Sequence, residues 1–273
     1  MGSSIRHHLQ PGFVLHQRPY RDTSMIVDFF IASHGRVSVV ARGVRKAKSR
    51  LAPLLQPFQP LLISWVARGE LGTLTAVESN GVPFMLNRRV LISGFYVNEL
   101  LVRLLHRDDP HTDLFQAYLQ VLQQLASIEY LLQQVSIDEQ VALRAFERQL
   151  LHELGYALIL DYDVSSGAAL NDDALYHYHL DQGPMLVDET QAVHQLMHHG
   201  SLRGGKVIKL HGKSLLDLAQ GVFRDNCTLR ESKRLMRAAL GVHLGSKPLH
   251  SRGLLNGLQP SIPEKQTPDI RYR

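Results

Sequence analysis

A single cysteine, Cys227, stands among the 273 residues, which excludes an internal disulfide and any zinc cage built from several thiolates. Long apolar runs are missing as well. None approaches the ~18 residues that a membrane span requires, so no membrane partner is expected. The opening stretch MGSSIRHHLQPG carries charge with no apolar segment behind it, which is not the pattern of a secretory signal. With His7 and His8 side by side, it looks in part like the remnant of an added tag. A cytoplasmic location is the expectation.

Catalytic constellations are equally scarce. There is no GxSxG element, and Cys227 has no activating partner close to it in sequence. Gly200 to Lys206 has the glycine spacing of a phosphate-binding loop, but Val207 sits where the magnesium-binding Ser or Thr is needed. Gly212-Lys213-Ser214 has the right ending, yet Val207 also takes the place of its leading glycine. His152-Glu153 continues as Leu154-Gly155-Tyr156, so the HExxH zinc motif fails. Fifteen histidines still raise the question of a metal. His177 and His179 alternate with Tyr176 and Tyr178 and share one face of a strand, with His198-His199 a short way on; surface or loop histidines are the plainer reading. Asp108-Asp109 and Asp172-Asp173 flank loops and read as caps and turns. Neither an enzyme, a cofactor nor a metal site is expected.

What the chain does contain is a normal apolar content, 44% against 20% charged, enough to bury a core, and a length that allows one large domain or two to three small ones. Its net charge of +5 hides a segregation. Residues 1–50 hold nine Lys/Arg against two acids, residues 51–200 seven against eighteen, and residues 201–273 fourteen against five. Basic ends around an acidic middle suggest a polyanion partner, if the fold brings the ends together.

Residues 12–80 read as β. FVLHQRP, SMIVDFFIA, RVSVVARG, LLISWVAR and TLTAVES are short runs separated by His34-Gly35, Pro57 to Pro60 and Gly69 to Gly72. Five such strands fit a small closed barrel, and a meander or an SH3-like barrel gives nearly the same pattern. From Phe84 the period becomes helical: Leu91, Phe95, Asn98, Leu101 and Leu105 recur at three and four. Thr112 or Asp113 caps a second helix reaching Leu125, and Asp138 starts a third that stops at Gly155. Residues 161–190 lose periodicity. Leu215 to Phe223 and Leu229 to Leu240 are helical again. The tail from 259 to 273, with three prolines and little to bury, reads as disordered.

Two basic surfaces stand out. RVSVVARGVRKAKSR carries Arg36, Arg42, Arg45, Lys46, Lys48 and Arg50 on a strand and its following loop, a set of phosphate contacts blind to sequence. Phe29, Phe58 and Trp65 are candidates for stacking on bases, although alternation places them among core residues. The second surface is Lys206, Lys209 and Lys213, then Arg230, Lys233, Arg234 and Arg237, the last four forming one helical stripe.

GFVLHQRPYRDTSMIVDFF, HGRVSVVARGVRK, LQPFQPL, SGFYVNELLVRLL, LRAFERQLLHELGY and SKPLHSRGLL together resemble the RecO family, across about residues 12 to 255. The resemblance implies an α+β fold: an OB-fold barrel over residues 1–82, a mainly helical domain over 83–258 with an irregular 161–200 segment, and the 259–273 tail. It implies binding of single- and double-stranded DNA, strand annealing, a nucleoid association, and partnership with RecR and with the acidic carboxy-terminal tail of single-stranded-DNA-binding protein. For that tail, Arg144 matches the first arginine of the family's L-R-x-F-E run, and Arg148, Leu143, Phe146 and Leu151 surround it. Many family members hold a four-cysteine zinc site where this chain has residues 161–190 and no cysteine, so no structural zinc is expected there. An RNA-binding OB protein and a protein–protein adaptor with basic ends are the competing readings.

Overall fold

The computed structural model describes residues 5–67, 69, 71–128, 137–187 and 207–257. Strands β1 (Ile5–Tyr20), β2 (Ser24–Ile31), β3 (Gly35–Ala41), β4 (Leu61–Ala67) and β5 (Gly72–Ser79) close a barrel in the order β1-β2-β3-β5-β4. Only the β3–β5 pairing is parallel. This is the OB barrel, and all five expected strands are present.

The first strand is longer than its apolar run. It starts at Ile5, and Ile5, Arg6 and His7 pair with Ala67, Val66 and Trp65 of β4. The His7 ring stacks on Trp65 at 4.3 Å, so from Ile5 onward the opening stretch, including His7 and His8, belongs to the barrel wall. One strand closes the barrel by serving two neighbours, and Gly12 is paired with both, opposite Ile31 and Leu61. A β-carbon there would lie 2.7 Å from the Phe30 carbonyl oxygen and 2.9 Å from the Ile63 side chain, so the crossing admits only glycine.

Alternation along a strand sends neighbouring side chains to opposite faces, and here both faces are apolar. Val14, Phe29, Ile31, Val39, Ile63 and Trp65 fill the barrel. Phe13, Leu15 and Phe30 point the other way and join the core of the helices. Three helices supply the other side of that core: α1 (Arg88–Leu104), α2 (Thr112–Ser127) and α3 (Ile137–Glu153). Phe13 and Phe30 meet the edge of the Tyr118 ring at 5.2 and 5.8 Å. Helix α1 turns Val90, Tyr96, Val97, Leu100 and Leu101 inward, so its buried face is rotated from the expected stripe: Leu91 is half-buried and Phe95 is exposed. Helix α2 has His111 at its N-cap position, one residue before Thr112 and two before Asp113, the expected caps, with no side-chain cap bond.

Polar groups fix the junction. Asn98 donates to the Leu15 carbonyl at 3.2 Å and accepts from the Tyr118 hydroxyl at 2.8 Å. Arg36 lies at the same junction: its guanidinium donates to the Val102 and Leu105 carbonyls at the end of α1 and stands 3.7 Å from Asp28. An exposed phosphate ligand was the expectation for Arg36; the orphan carbonyls of a helix C-terminus hold it instead.

The irregular 161–190 stretch contains order that its sequence conceals. β6 (Leu175–His179), β7 (Gly183–Leu186) and β8 (Val207–His211) form an antiparallel sheet ordered β7-β6-β8. Tyr176 and Tyr178 face the core while His177 and His179 share the outer face, as their alternation predicts. Asp163 ties the preceding loop to this sheet, accepting from the Ser165 backbone and hydroxyl at 2.7 and 2.6 Å and from the Leu186 N–H at 3.1 Å. Its oxygens are thus committed to the loop.

Helices α4 (Gly212–Gln220), α5 (Asn226–Leu244) and α6 (His250–Gly257) complete the chain. Asp225 and Thr228 form a reciprocal capping box on α5. SKPLHSRGLL becomes α6, whose first turn donates to Glu99 of α1 through the His250 and Ser251 backbone and the Ser251 hydroxyl. The 188–206 stretch and the tail from 258 lie outside the described residues, and with them the disorder expected for 259–273.

Burial pushes the Asp28 carboxyl up, but the His16 imidazole 3.8 Å away, the hydrogen bond from Ser38 and the Arg36 charge outweigh it and hold its pKa below the ordinary value. A carboxylate depressed in the folded state adds stability above its unfolded pKa of about 3.9, and that stability is lost as pH falls through the folded value. In urea titrations between about pH 7 and pH 3, Asp28→Asn is expected to be less stable than the parent at neutral pH, with the gap narrowing on acidification. A constant gap would show that Asp28 carries no proton linkage.

Candidate nucleic-acid interface

After β3 the chain leaves the barrel as a run of tight turns. Gly43 adopts a φ of +71°, which suits glycine, and the Lys46 and Ser49 N–H groups donate to the Gly43 and Lys46 carbonyls at 3.2 and 3.0 Å. The Ser49 hydroxyl accepts from the Leu51 and Ala52 backbones. Val44 and Leu55 drop into the barrel core and pin the loop at both ends. Around these anchors Arg42, Arg45, Lys46, Lys48 and Arg50 are all exposed.

A second loop joins this one. The Arg45 N–H donates to the Thr23 carbonyl at 3.0 Å and its guanidinium to the Arg21 carbonyl at 3.2 Å. That brings Arg21, exposed and lying 5.2 Å over the Tyr20 ring, beside the basic loop. Sequence reasoning missed Arg21 because it precedes Arg42 by twenty-one residues. The signal available was that both positions end paired strands, β2 with β1 and β2 with β3. Trp65, Phe29 and Phe58 are buried in the two cores, as alternation indicated, and offer no face to a base.

The helical stripe is present. Arg230, Lys233, Arg234 and Arg237 are exposed along α5, and the Arg234 guanidinium donates to the carbonyl of exposed Lys209 on β8. Lys213 is half-buried and engaged, its ammonium 2.9 Å from Asp225. Lys206 lies outside the described residues.

The expected partner surface is rearranged. Arg144 is 5% exposed and forks onto Glu147, with its Nε 2.7 Å from one carboxylate oxygen and an Nη on the other. The Tyr96 hydroxyl donates to the same carboxylate at 2.7 Å. Burial works against the Arg144 charge, and Glu147 more than offsets it, raising its pKa. Arg148 donates to the Ala219 carbonyl in the last turn of α4. Phe146 and Leu151 are core and Leu143 is half-buried against it. Arg144 therefore meets its carboxylate within the chain: α3 is packed on both sides, against α2 and α5, and a cation one turn from Glu147 has an internal partner.

An open apolar cavity of about 840 Å³ lies nearby, between the end of α3, the β6–β7 turn and α5. Leu151, Ile159, Tyr178 and Val242 are among its walls, with Arg237 and Asp181 bringing charge to it. The Tyr156 and His243 rings stack at 3.8 Å in its lining.

A closed five-stranded OB barrel with an exposed basic loop, fused through a shared core to a helical body, defines the architecture of this class of protein. The family pattern described as "Recombination protein O N terminal" matches residues 5–81, and "Recombination protein O C terminal" matches residues 86–253. Three relatives are each called DNA repair protein RecO. That of Nitrosospira multiformis is 42% identical over 93% of this chain and 97% of its own. Those of Nitrosococcus oceani and Coxiella burnetii are 43% and 42% identical, over 92% and 90% of this chain and 94% and 97% of theirs. The chain belongs to the recombination protein O family.

Removing Arg144 leaves Glu147, 1% exposed, as a buried carboxylate without its cation. Arg144→Ala is expected to cost about 3–5 kcal/mol of folding stability in urea denaturation, and to reduce every binding activity only as the folded fraction falls. A cost below about 1 kcal/mol would show that Tyr96 alone suffices for Glu147.

Proposed function

We propose that the chain is a DNA repair and recombination mediator that works without catalysis. It binds single- and double-stranded DNA, anneals complementary strands, and acts with RecR on strands coated by single-stranded-DNA-binding protein to promote recombinase loading. The observation that carries this reading is the group of exposed cations on two adjoining barrel loops, Arg21, Arg42, Arg45, Lys46, Lys48 and Arg50. Lysine and arginine contacts to phosphate release counterions and read no bases, which suits a protein that must accept any sequence. The α5 stripe adds a second row of exposed cations on the helical body. Family membership and relatives named for DNA repair support the same reading.

A partner tail that ends in aspartates and an apolar residue needs a cation beside an apolar pocket. The cavity beside Arg237 offers both, whereas Arg144 is committed to Glu147. On this reading the tail's last side chain enters between Leu151, Ile159 and Val242 and its carboxylates meet Arg237.

Reversing Arg42, Arg45 and Lys46 to Glu is expected to weaken binding to every oligonucleotide and to flatten log affinity against log salt by about 0.7 per lost single-strand contact. An unchanged slope would mean a merely solvated loop, and a preference for RNA without annealing would favour an RNA-binding role. Val242, 62% exposed, tolerates substitution, so Val242→Glu tests the cavity. It is expected to weaken an acidic tail peptide at least tenfold, about 1.4 kcal/mol, while annealing of bare strands persists. Equal loss of both activities would place the cavity on the DNA surface instead.

A further inference from the structure

One cluster is used by neither the DNA surface nor the cavity. His211 ends β8, and Cys227 and Glu231 stand one turn apart at the start of α5. The His211 Nδ1 lies 2.9 Å from Glu231 Oε1, and the Cys227 Sγ lies 3.9 Å from that same oxygen. The ligand atoms of all three fall within 4.8 Å of one another, and all three residues are half-buried. Bonds of ~2.0–2.3 Å to a tetrahedral ion set its ligand atoms roughly 3.3–3.7 Å apart. Side-chain adjustments of about an ångström therefore bring this trio to metal-binding geometry.

The carboxylate is already oriented for that role. Its other oxygen, Oε2, accepts from the His211 backbone N–H at 2.9 Å and from the Ser214 hydroxyl at 2.6 Å. These bonds fix the group and leave Oε1 turned toward the imidazole and the thiol, the kind of outer-shell support that metal-binding side chains receive.

We propose that His211, Cys227 and Glu231 bind one zinc-class divalent ion, with solvent in the fourth position. One thiolate, one imidazole and one carboxylate select zinc over magnesium or calcium, which take oxygen ligands. The ion would tie the end of β8 to α5, and through Ser214 to α4, stiffening the support of the Arg230 to Arg237 stripe.

Cobalt(II) reports directly on the thiolate. Chelator-treated full-length protein is expected to develop a near-ultraviolet thiolate-to-cobalt charge-transfer band that saturates at one equivalent. Zinc should erase it and excess magnesium should not. Zinc should raise the melting temperature of the parent but not of Cys227→Ser, which lacks the band, and His211→Asn should weaken binding at least about tenfold. Because Cys227 is the only cysteine, its alkylation rate gives a readout that needs no variant: one equivalent of zinc should slow it sharply. No band at stoichiometric cobalt, a band that persists in Cys227→Ser, or alkylation indifferent to zinc would each overturn the site.

Discussion

The structure depends on strands β1 and β2 being apolar on both faces. A barrel of this size needs only its inner face apolar, yet Phe13, Leu15 and Phe30 point outward and are 4% exposed or less. Left uncovered they would form a sticky patch, so α1 and α2 must dock, and they do so through Tyr118, Phe115 and Leu101. Truncating one such aromatic to alanine costs about 3–5 kcal/mol, a large share of a domain's net stability. Barrel and helices accordingly share a core, and the Asn98 bond to the Leu15 carbonyl fixes their register where apolar contact alone would not.

Arginine is used here for two opposite purposes. Arg36, Arg103 and Arg148 donate to backbone carbonyls, most of them in the last turns of helices or just beyond. Arg144 and Arg224 fork onto carboxylates. The planar guanidinium suits such convergent acceptors better than a lysine does. Other cations stay exposed, on the run of turns after β3 and on the outer face of α5, even where, as in Arg45 and Arg234, the guanidinium also reaches a backbone carbonyl. Charge type therefore cannot separate buried structural arginines from exposed ones; burial does.

This explains what the sequence disclosed and what it withheld. Short apolar runs bounded by glycine and proline exposed all five barrel strands, and period-3.6 runs exposed α1, α2, α3, α4 and α5, because each of these helices buries one continuous face. The first half of β1 was hidden, since Ile5 to Gln10 lies largely exposed and pairs through its backbone with β4. The β6–β8 sheet was hidden because its third strand arrives some thirty residues after its first. The basic loop was legible because it is local. Arg21, the Arg144–Glu147 fork and the trio of His211, Cys227 and Glu231 were not, since each depends on a rotation about a helix or a pairing between separate segments.

The distribution of aromatics bears on how such a surface treats DNA. Single-strand binders commonly hold bases by stacking them on exposed rings, worth about 1–3 kcal/mol per base. In the barrel, Phe13, Phe29, Phe30, Phe58 and Trp65 are all buried, and Tyr20 is half-buried beneath Arg21. On the proposed function, a strand on this barrel would be held by its phosphates, with its base edges left unoccupied. Two strands gathered by such contacts remain able to pair, whereas stacking would first have to be broken. For the proposed annealing activity the scarcity of exposed rings is thus a requirement, and the same contacts, being electrostatic, weaken steeply as salt rises.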